Sequence, residues 1–256
     1  MELSPQFTYA FLLILIRTSA MLVSAPLLNH KGIPAWTKIG FAVFFALVLV
    51  PLQQDRLPEP PADFGVLTAA VLSEALFGLA LGLAMQLVFV SLQMGSQILG
   101  VQMGFGLGAV YDPVTGAQFG AFDQFYAVLV TLVFFSVNGH YMVIQALAET
   151  IRAIPLGTWD PLTVGSTALA GLFTGLFVTA VRIAMPVVAA LLLTDIGMGF
   201  VARTMPQANV LVVGMPVKIA VGLIVLIAAL PVMTTLMQSV IGNQLAGSSQ
   251  ALLGVR

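Results

Sequence analysis

The 256-residue chain contains no cysteine. Disulfides and thiolate metal sites are therefore excluded, while the redox compartment stays undetermined. Charge is nearly as scarce. Asp, Glu, Lys and Arg make up 7% of the residues, against about 25% in a soluble domain. The net charge of −1 gives no case for nucleic acid or for acidic partners. Histidine occurs twice, at His30 and His140, and no His-Glu-x-x-His or Gly-x-Ser-x-Gly motif is present. Without a metal-ligand cluster or a nucleophile–base pair, the sequence argues against an enzyme and implies no cofactor.

Apolar residues fill the space. They account for 59% of the chain, and the mean hydropathy is +1.06. The apolar segments are long and lack strict two-residue alternation, which favours helices over a β-barrel. The expectation is an all-α integral membrane protein built from kinked long helices and helical hairpins. The first charge is Glu2, and Arg17 interrupts the first apolar segment. That segment therefore reads as a retained helix rather than a cleaved signal peptide.

Expected segments cover 7–28, 39–52, 64–103, 122–138 with a continuation towards 148, 162–203 and 217–245. Loops are expected at 29–38, 53–63, 149–161 and 204–217. No linker divides the chain, so a single membrane domain over 1–256 is expected. Lys31 and Lys38 place the 29–38 loop in the cytoplasm by the positive-inside rule, with the N-terminus outside. Pro26, Pro186 and Pro231 sit in apolar runs, where proline removes a helical hydrogen bond and kinks the helix. Over-long, kinked segments suit a heteromeric helical assembly better than a lone bundle in lipid. The twelve methionines and seventeen phenylalanines read as core filler.

No charge occurs between Glu74 and Asp112. Those 37 residues would span about 55 Å as one helix, and a bilayer core is only about 30 Å thick. The run ends in glycine-rich backbone: Gly104, Phe105, Gly106, Leu107, Gly108, Ala109, Val110, Tyr111, Asp112, Pro113 and, three residues on, Gly116. Irregular backbone at membrane depth must be buried in protein or line a cavity. The loop is therefore a candidate pore or gate element.

A stripe of small and amide residues leads into it: Gly78, Gly82, Gln86, Gln93, Gln97, Gly100 and Gly104 share one side of a helix. Glycines permit close helix approach and glutamines can hydrogen-bond across an interface. An ordinary packing seam is the simpler reading, and contact with a transported substrate the sharper one. Arg17, Glu74, Asp123, Arg182 and Asp195 lie within or beside apolar runs, so each must face protein or water. They serve either as pathway residues or as inter-helix ion pairs. Asp195, Gly199 and Arg203 share a face, but Asp195 and Arg203 are two turns apart, too far for a direct pair.

A set of residues in order along the chain carries a family resemblance. It comprises Arg17, Ala25-Pro26, Ile33-Pro34, Lys38, the run from Gly100 to Phe105, Asp112-Pro113, and the run from Phe135 to Asn138-Gly139-His140. It continues with Thr194-Asp195, Gly199, Arg203, the run from Pro206 to Val210, and the run from Gly214 to Lys218. The chain resembles the FliR family of flagellar export-gate proteins, relatives of the SctT family of type III secretion injectisomes. The Asn-Gly-His element is more flagellar in character.

The resemblance implies one copy in an inner-membrane complex with FliP- and FliQ-like subunits. That complex is a cone of helices around a channel for unfolded flagellar proteins. FlhA- and FlhB-like proteins lie nearby and the proton motive force energises export. It further implies that residues 104–120 plug the channel. Arg17, Gly78, Gly82, Gln86, Gln93, Gln97, Arg182, Asp195, Arg203 and Lys218 then serve as subunit-packing or buried polar residues. The alternative is a stand-alone secondary transporter with a midplane site at Asp123, Arg182 and Asp195. A third reading is a purely structural assembly scaffold.

Overall fold

The structure, a computed structural model, describes residues 4–25, 32–51, 57–105, 121–160, 166–205 and 210–252. Among them are seven α-helices and no strand: α1 (Pro5–Ser24), α2 (Ala35–Leu49), α3 (Phe64–Met103), α4 (Ala121–Ser136), α5 (Gly139–Ala153), α6 (Ser166–Thr204) and α7 (Val210–Leu252). Four are long and apolar enough to cross a membrane, or five if the broken pair α4–α5 forms one span. The chain is an all-α multi-pass membrane protein. At 15 residues, α2 is shorter than the roughly 20 needed to span.

Helix ends follow local chemistry. Ser4 caps α1 by accepting the Phe7 N–H at 3.2 Å, and Pro5 occupies the first turn, where its missing N–H costs nothing. The expectation that Pro26 kinks a helix running to residue 28 is corrected. α1 stops at Ser24, and Ala25 is extended at ψ 136°, the conformation that a following proline imposes. By contrast, Pro186 lies inside α6, and Pro216 and Pro231 lie inside α7. The expected 204–217 link is likewise shorter, because α7 begins at Val210, and α5 carries helix to Ala153 in place of a loop beginning at 149.

α3 has the bounds expected for the apolar segment 64–103. Its 40 residues measure about 60 Å, twice the bilayer core. It ends in a Schellman motif. Gly104 adopts φ +91°, the Phe105 N–H donates to Gly100 O at 2.9 Å, and the Gly104 N–H donates to Val101 O at 3.1 Å. α4 ends at a second left-handed residue. Asn138 has φ 56° and donates its N–H to Phe135 O at 3.1 Å. At Gly139 a Cβ would strike the Phe134 ring, so the Asn-Gly pair both breaks the helix and lets it restart.

The chain packs as two compact units. The first comprises residues 1–89, 140–173 and 241–256. Here α1 buries Ala10, Leu13, Ile14, Arg17, Thr18, Met21 and Leu22, a stripe at helical spacing. Gly78 and Gly82 of α3 bring its backbone against α1. A Cβ at Gly78 would collide with Arg17 O and lie 2.9 Å from Ala20 Cβ, and one at Gly82 would lie 2.6 Å from Met21 O. The second unit comprises residues 90–139 and 174–240. Its buried residues include Leu92, Leu99 and Met103 of α3, Phe122, Tyr126 and Val130 of α4, Ile183, Val187 and Leu191 of α6, and Leu226 of α7.

Candidate functional site

The second unit fixes both ends of the glycine-rich segment. Phe105, just past the α3 terminus, stacks on Phe122 in the first turn of α4, with ring centroids 5.4 Å apart and planes 13° from parallel. The stack joins two described residues that flank the 106–120 stretch with a ring contact. The Met215 side chain of α7 closes over Gly104, with Cε 3.3 Å from where a Cβ would stand, and Gly222 makes room for Met103 in the same manner, at 2.5 Å. Of the expected plug, Gly104 and Phe105 are described. Gly106, Leu107, Gly108, Ala109, Val110, Tyr111, Asp112, Pro113 and Gly116 lie outside the described residues.

Beside this base, α3 and α4 enclose a cleft of about 230 Å³ lined by Gln93, Ser96, Gln97, Asp123, Gln124 and Ala127. Ser96 donates its hydroxyl to Asp123 Oδ1 at 3.0 Å. Gln93, Gln97 and Gln124 are exposed. Around them α4 presents Phe125, Val128, Leu132 and Phe135, all more than half exposed. The cleft is thus a mainly apolar recess that carries a few polar groups, Ser96 and Asp123 among them. A primary amide carries two donors and an acceptor oxygen, so Gln93, Gln97 and Gln124 add hydrogen-bonding capacity of either kind to this surface.

The first unit holds a fully buried ion pair. Arg17 Nε donates to Glu74 Oε2 at 2.5 Å and Nη2 donates to Oε1 at 3.0 Å, a two-pronged contact, while Nη1 donates to Thr150 O at 3.1 Å. Glu74 Oε1 also accepts the Gly157 N–H at 2.7 Å. Both side chains have no exposed area. The guanidinium lies 4.6 Å from the Phe77 ring centroid, and that ring meets Trp159 edge-on. Ser73 donates its hydroxyl to Trp159 O at 2.6 Å. One buried Arg therefore ties α1 to α3 and α5, and its carboxylate partner ties α3 to the turn at Gly157.

The other expected site residues divide. Gly78 and Gly82 are buried against α1, whereas Gln86, Gln93 and Gln97 of the same stripe are exposed on the chain's own surface. Asp195 does find a cation, but it is Lys218 of α7 at 2.5 Å, with 38% and 25% of the two side chains exposed. Arg203 and Arg182 are exposed. Asp123, Arg182 and Asp195 do not form one ion-pair cluster, since Asp195 goes to Lys218. No group of three or more His, Asp or Glu suited to a metal ion occurs among the described residues.

Sequence reasoning named both partners of each ion pair but neither pairing. It also missed Phe122, whose spacing of 17 from Phe105 carries no periodic signal.

Comparison with known proteins adds a family. The model of bacterial export proteins, family 1, matches residues 8–244. Flagellar biosynthetic protein FliR of Bacillus subtilis (strain 168) is 37% identical over 235 residues, covering 90% of each chain. FliR of Escherichia coli (strain K12) is 29% identical over 221 residues, covering 85% of this chain and 82% of that one. FliR of Aquifex aeolicus (strain VF5) is 28% identical over 242 residues, covering 92% and 91%.

Proposed function

This chain belongs to the bacterial export proteins, family 1, and from that premise we propose that it is a subunit of the flagellar type III protein export gate in the bacterial inner membrane. It is a multi-pass membrane component of the flagellar export apparatus. In our reading one copy joins FliP- and FliQ-like subunits to form the channel for unfolded flagellar proteins, with FlhA- and FlhB-like proteins alongside. Residues 104–120 form the plug that closes it. The chain acts as a conduit and gate and carries no catalytic role.

The observation that carries the plug reading is the anchored base of the segment. The Phe105–Phe122 stack holds the two ends together, and Gly104 in the left-handed region turns the chain sharply off the end of α3. A segment with tethered ends and abundant glycine can fill a narrow lumen and still be displaced, because glycine accepts backbone conformations closed to other residues. Asp195–Lys218, the α1–α3 glycine contacts and the Arg17–Glu74 pair serve as internal fasteners, while Gln86, Gln93, Gln97, Arg182 and Arg203 serve as packing residues towards partners.

Deleting residues 106–117 tests the gate. With FliP- and FliQ-like partners co-expressed, ion leakage across the membrane should rise while the complex still assembles. Unchanged conductance in an intact complex refutes the plug. Purification without solubilised partners, as a stable monomer that binds a small solute, would instead favour a stand-alone transporter.

A further inference from the structure

Arg182 occupies an unusual position in the second unit. It lies nine residues inside the apolar span Phe173–Thr204, about 13 Å from its start along the helix axis. Its side chain is exposed, and among the described residues it has no hydrogen-bond or ion-pair partner. Four residues on stands Pro186, inside the same helix. A proline has no N–H to return to the carbonyl four residues before it, and here that carbonyl belongs to Arg182. One residue thus presents an unspent five-donor guanidinium and an acceptor oxygen lacking its helical donor.

Three surroundings are open to such a residue. Lipid is the most costly, since Arg is among the most expensive side chains to hold in the hydrocarbon. A water-filled lumen would place further polar groups beside it. Yet the exposed positions on its own face are Val178, Met185, Pro186 and Ala189, all apolar, with Val178 at 42% and Met185 at 57% exposure, while the polar Thr179 at i−3 is buried. A single cation ringed by apolar side chains matches the third surrounding, a helix–helix contact in which packing supplies the rim and a polar pair the centre.

We infer that Arg182, with the carbonyl freed by Pro186, is the docking point for a membrane helix of a different chain that presents a carboxylate at this depth. The guanidinium fork takes the carboxylate with two parallel hydrogen bonds, a geometry that Lys cannot reproduce. A hydroxyl or amide donor on the same helix satisfies the carbonyl, as neighbouring helices do for prolines in membrane spans. The inference rests on the export-gate reading, because it needs a partner within the membrane.

Two measurements on the full chain co-expressed with its FliP- and FliQ-like partners test it. Arg182→Glu should lower co-purification of the partners at least tenfold, and Arg182→Lys several-fold. Reversing one intramembrane Asp or Glu of a partner to Arg should restore binding to the Arg182→Glu chain. The chain's own melting temperature should not move, since Arg182 is exposed and makes no hydrogen bond or ion pair to a described residue; a drop in that temperature assigns the residue to internal folding and overturns the inference. A photo-reactive benzophenone side chain at Met185 should crosslink to the partner helix that bears the acid. Crosslinks to lipid alone, or to a second copy of this chain, overturn it. Wild-type assembly that survives Arg182→Glu sinks this inference alone, whereas a wild-type chain that co-purifies with no partner sinks the export-gate reading and this inference with it.

Discussion

Glu74→Leu removes the carboxylate that receives two Arg17 donors and the Gly157 N–H, and it strands a guanidinium with no exposed area. Arg17→Met does the converse and leaves the buried carboxylate with Gly157 alone. Taking one partner from a buried pair costs about 3–5 kcal/mol, because the survivor is an uncompensated charge. Removing both is a different perturbation. Thr150 O keeps its helical donor, the Ile154 N–H at 3.0 Å, so the one group orphaned in Arg17→Met/Glu74→Leu is the Gly157 N–H, at about 1–3 kcal/mol. The Met sulfur also retains an aromatic neighbour in Phe77, which now faces the guanidinium at 4.6 Å. The double variant should therefore be more stable than either single one, with a coupling of at least about 3 kcal/mol. Denaturant titration in mixed micelles reads this through Trp159, which is 9% exposed and packed on Phe77, whereas Trp36, the other tryptophan, is 84% exposed. Single effects that sum to the double within about 0.5 kcal/mol would refute the reasoning, since independent sites add to that precision.

Close approach predicts a contrast among the glycines. Gly78→Val and Gly82→Val should abolish stable accumulation of the chain because each Cβ meets α1 backbone, while Gly40→Ala, with nothing within 4 Å, should raise helix stability by up to about 1 kcal/mol; immunoblot yield and melting temperature read both. Phe105→Ala should lose the stacking contribution of about 0.5–1.5 kcal/mol at the loop base, leave the complex assembled and raise its ion leakage, though less than the loop deletion does; leakage equal to wild type counts against the clamp.

Much of the architecture could be read from composition. The bounds of α3 follow from the apolar run after the proline-rich loop at 53–63 and from the glycine that stops it, and the Asn138 break follows from a residue type that tolerates positive φ. Prolines were harder to read, because one residue has two outcomes. Pro26 terminates a helix, while Pro186, Pro216 and Pro231 are absorbed within one. Which outcome occurs depends on packing that a local sequence window does not contain. The ion pairs were illegible for the same reason. Arg17 and Glu74 are 57 residues apart, and no periodicity chooses between Glu74, Asp123 and Asp195 as the carboxylate for a given cation. The stripe along α3 showed the opposite limitation. Its spacing predicted one continuous face, but that face is divided among glycines that admit α1 (Gly78, Gly82), glycines that meet Phe122 and Met215 (Gly100, Gly104), and exposed glutamines.

That division bears on where the chain meets its neighbours. In the first unit the charges within the spans are consumed internally: Arg17 and Glu74 satisfy each other, and the residual acceptor of Glu74 goes to Gly157. In the second unit Asp195 and Lys218 are paired yet partly open, and Gln93, Gln97, Gln124 and Arg182 remain at the surface. Amides and guanidinium groups at membrane depth carry a large cost in lipid, so a surface that retains them is one made to be covered. The same unit contains the anchored base of the 106–120 segment. Under the export-gate reading, a partner helix drawn to those polar groups would pack on the unit that holds the end of α3 and the start of α4, between which the segment runs, and assembly and gating would be coupled there.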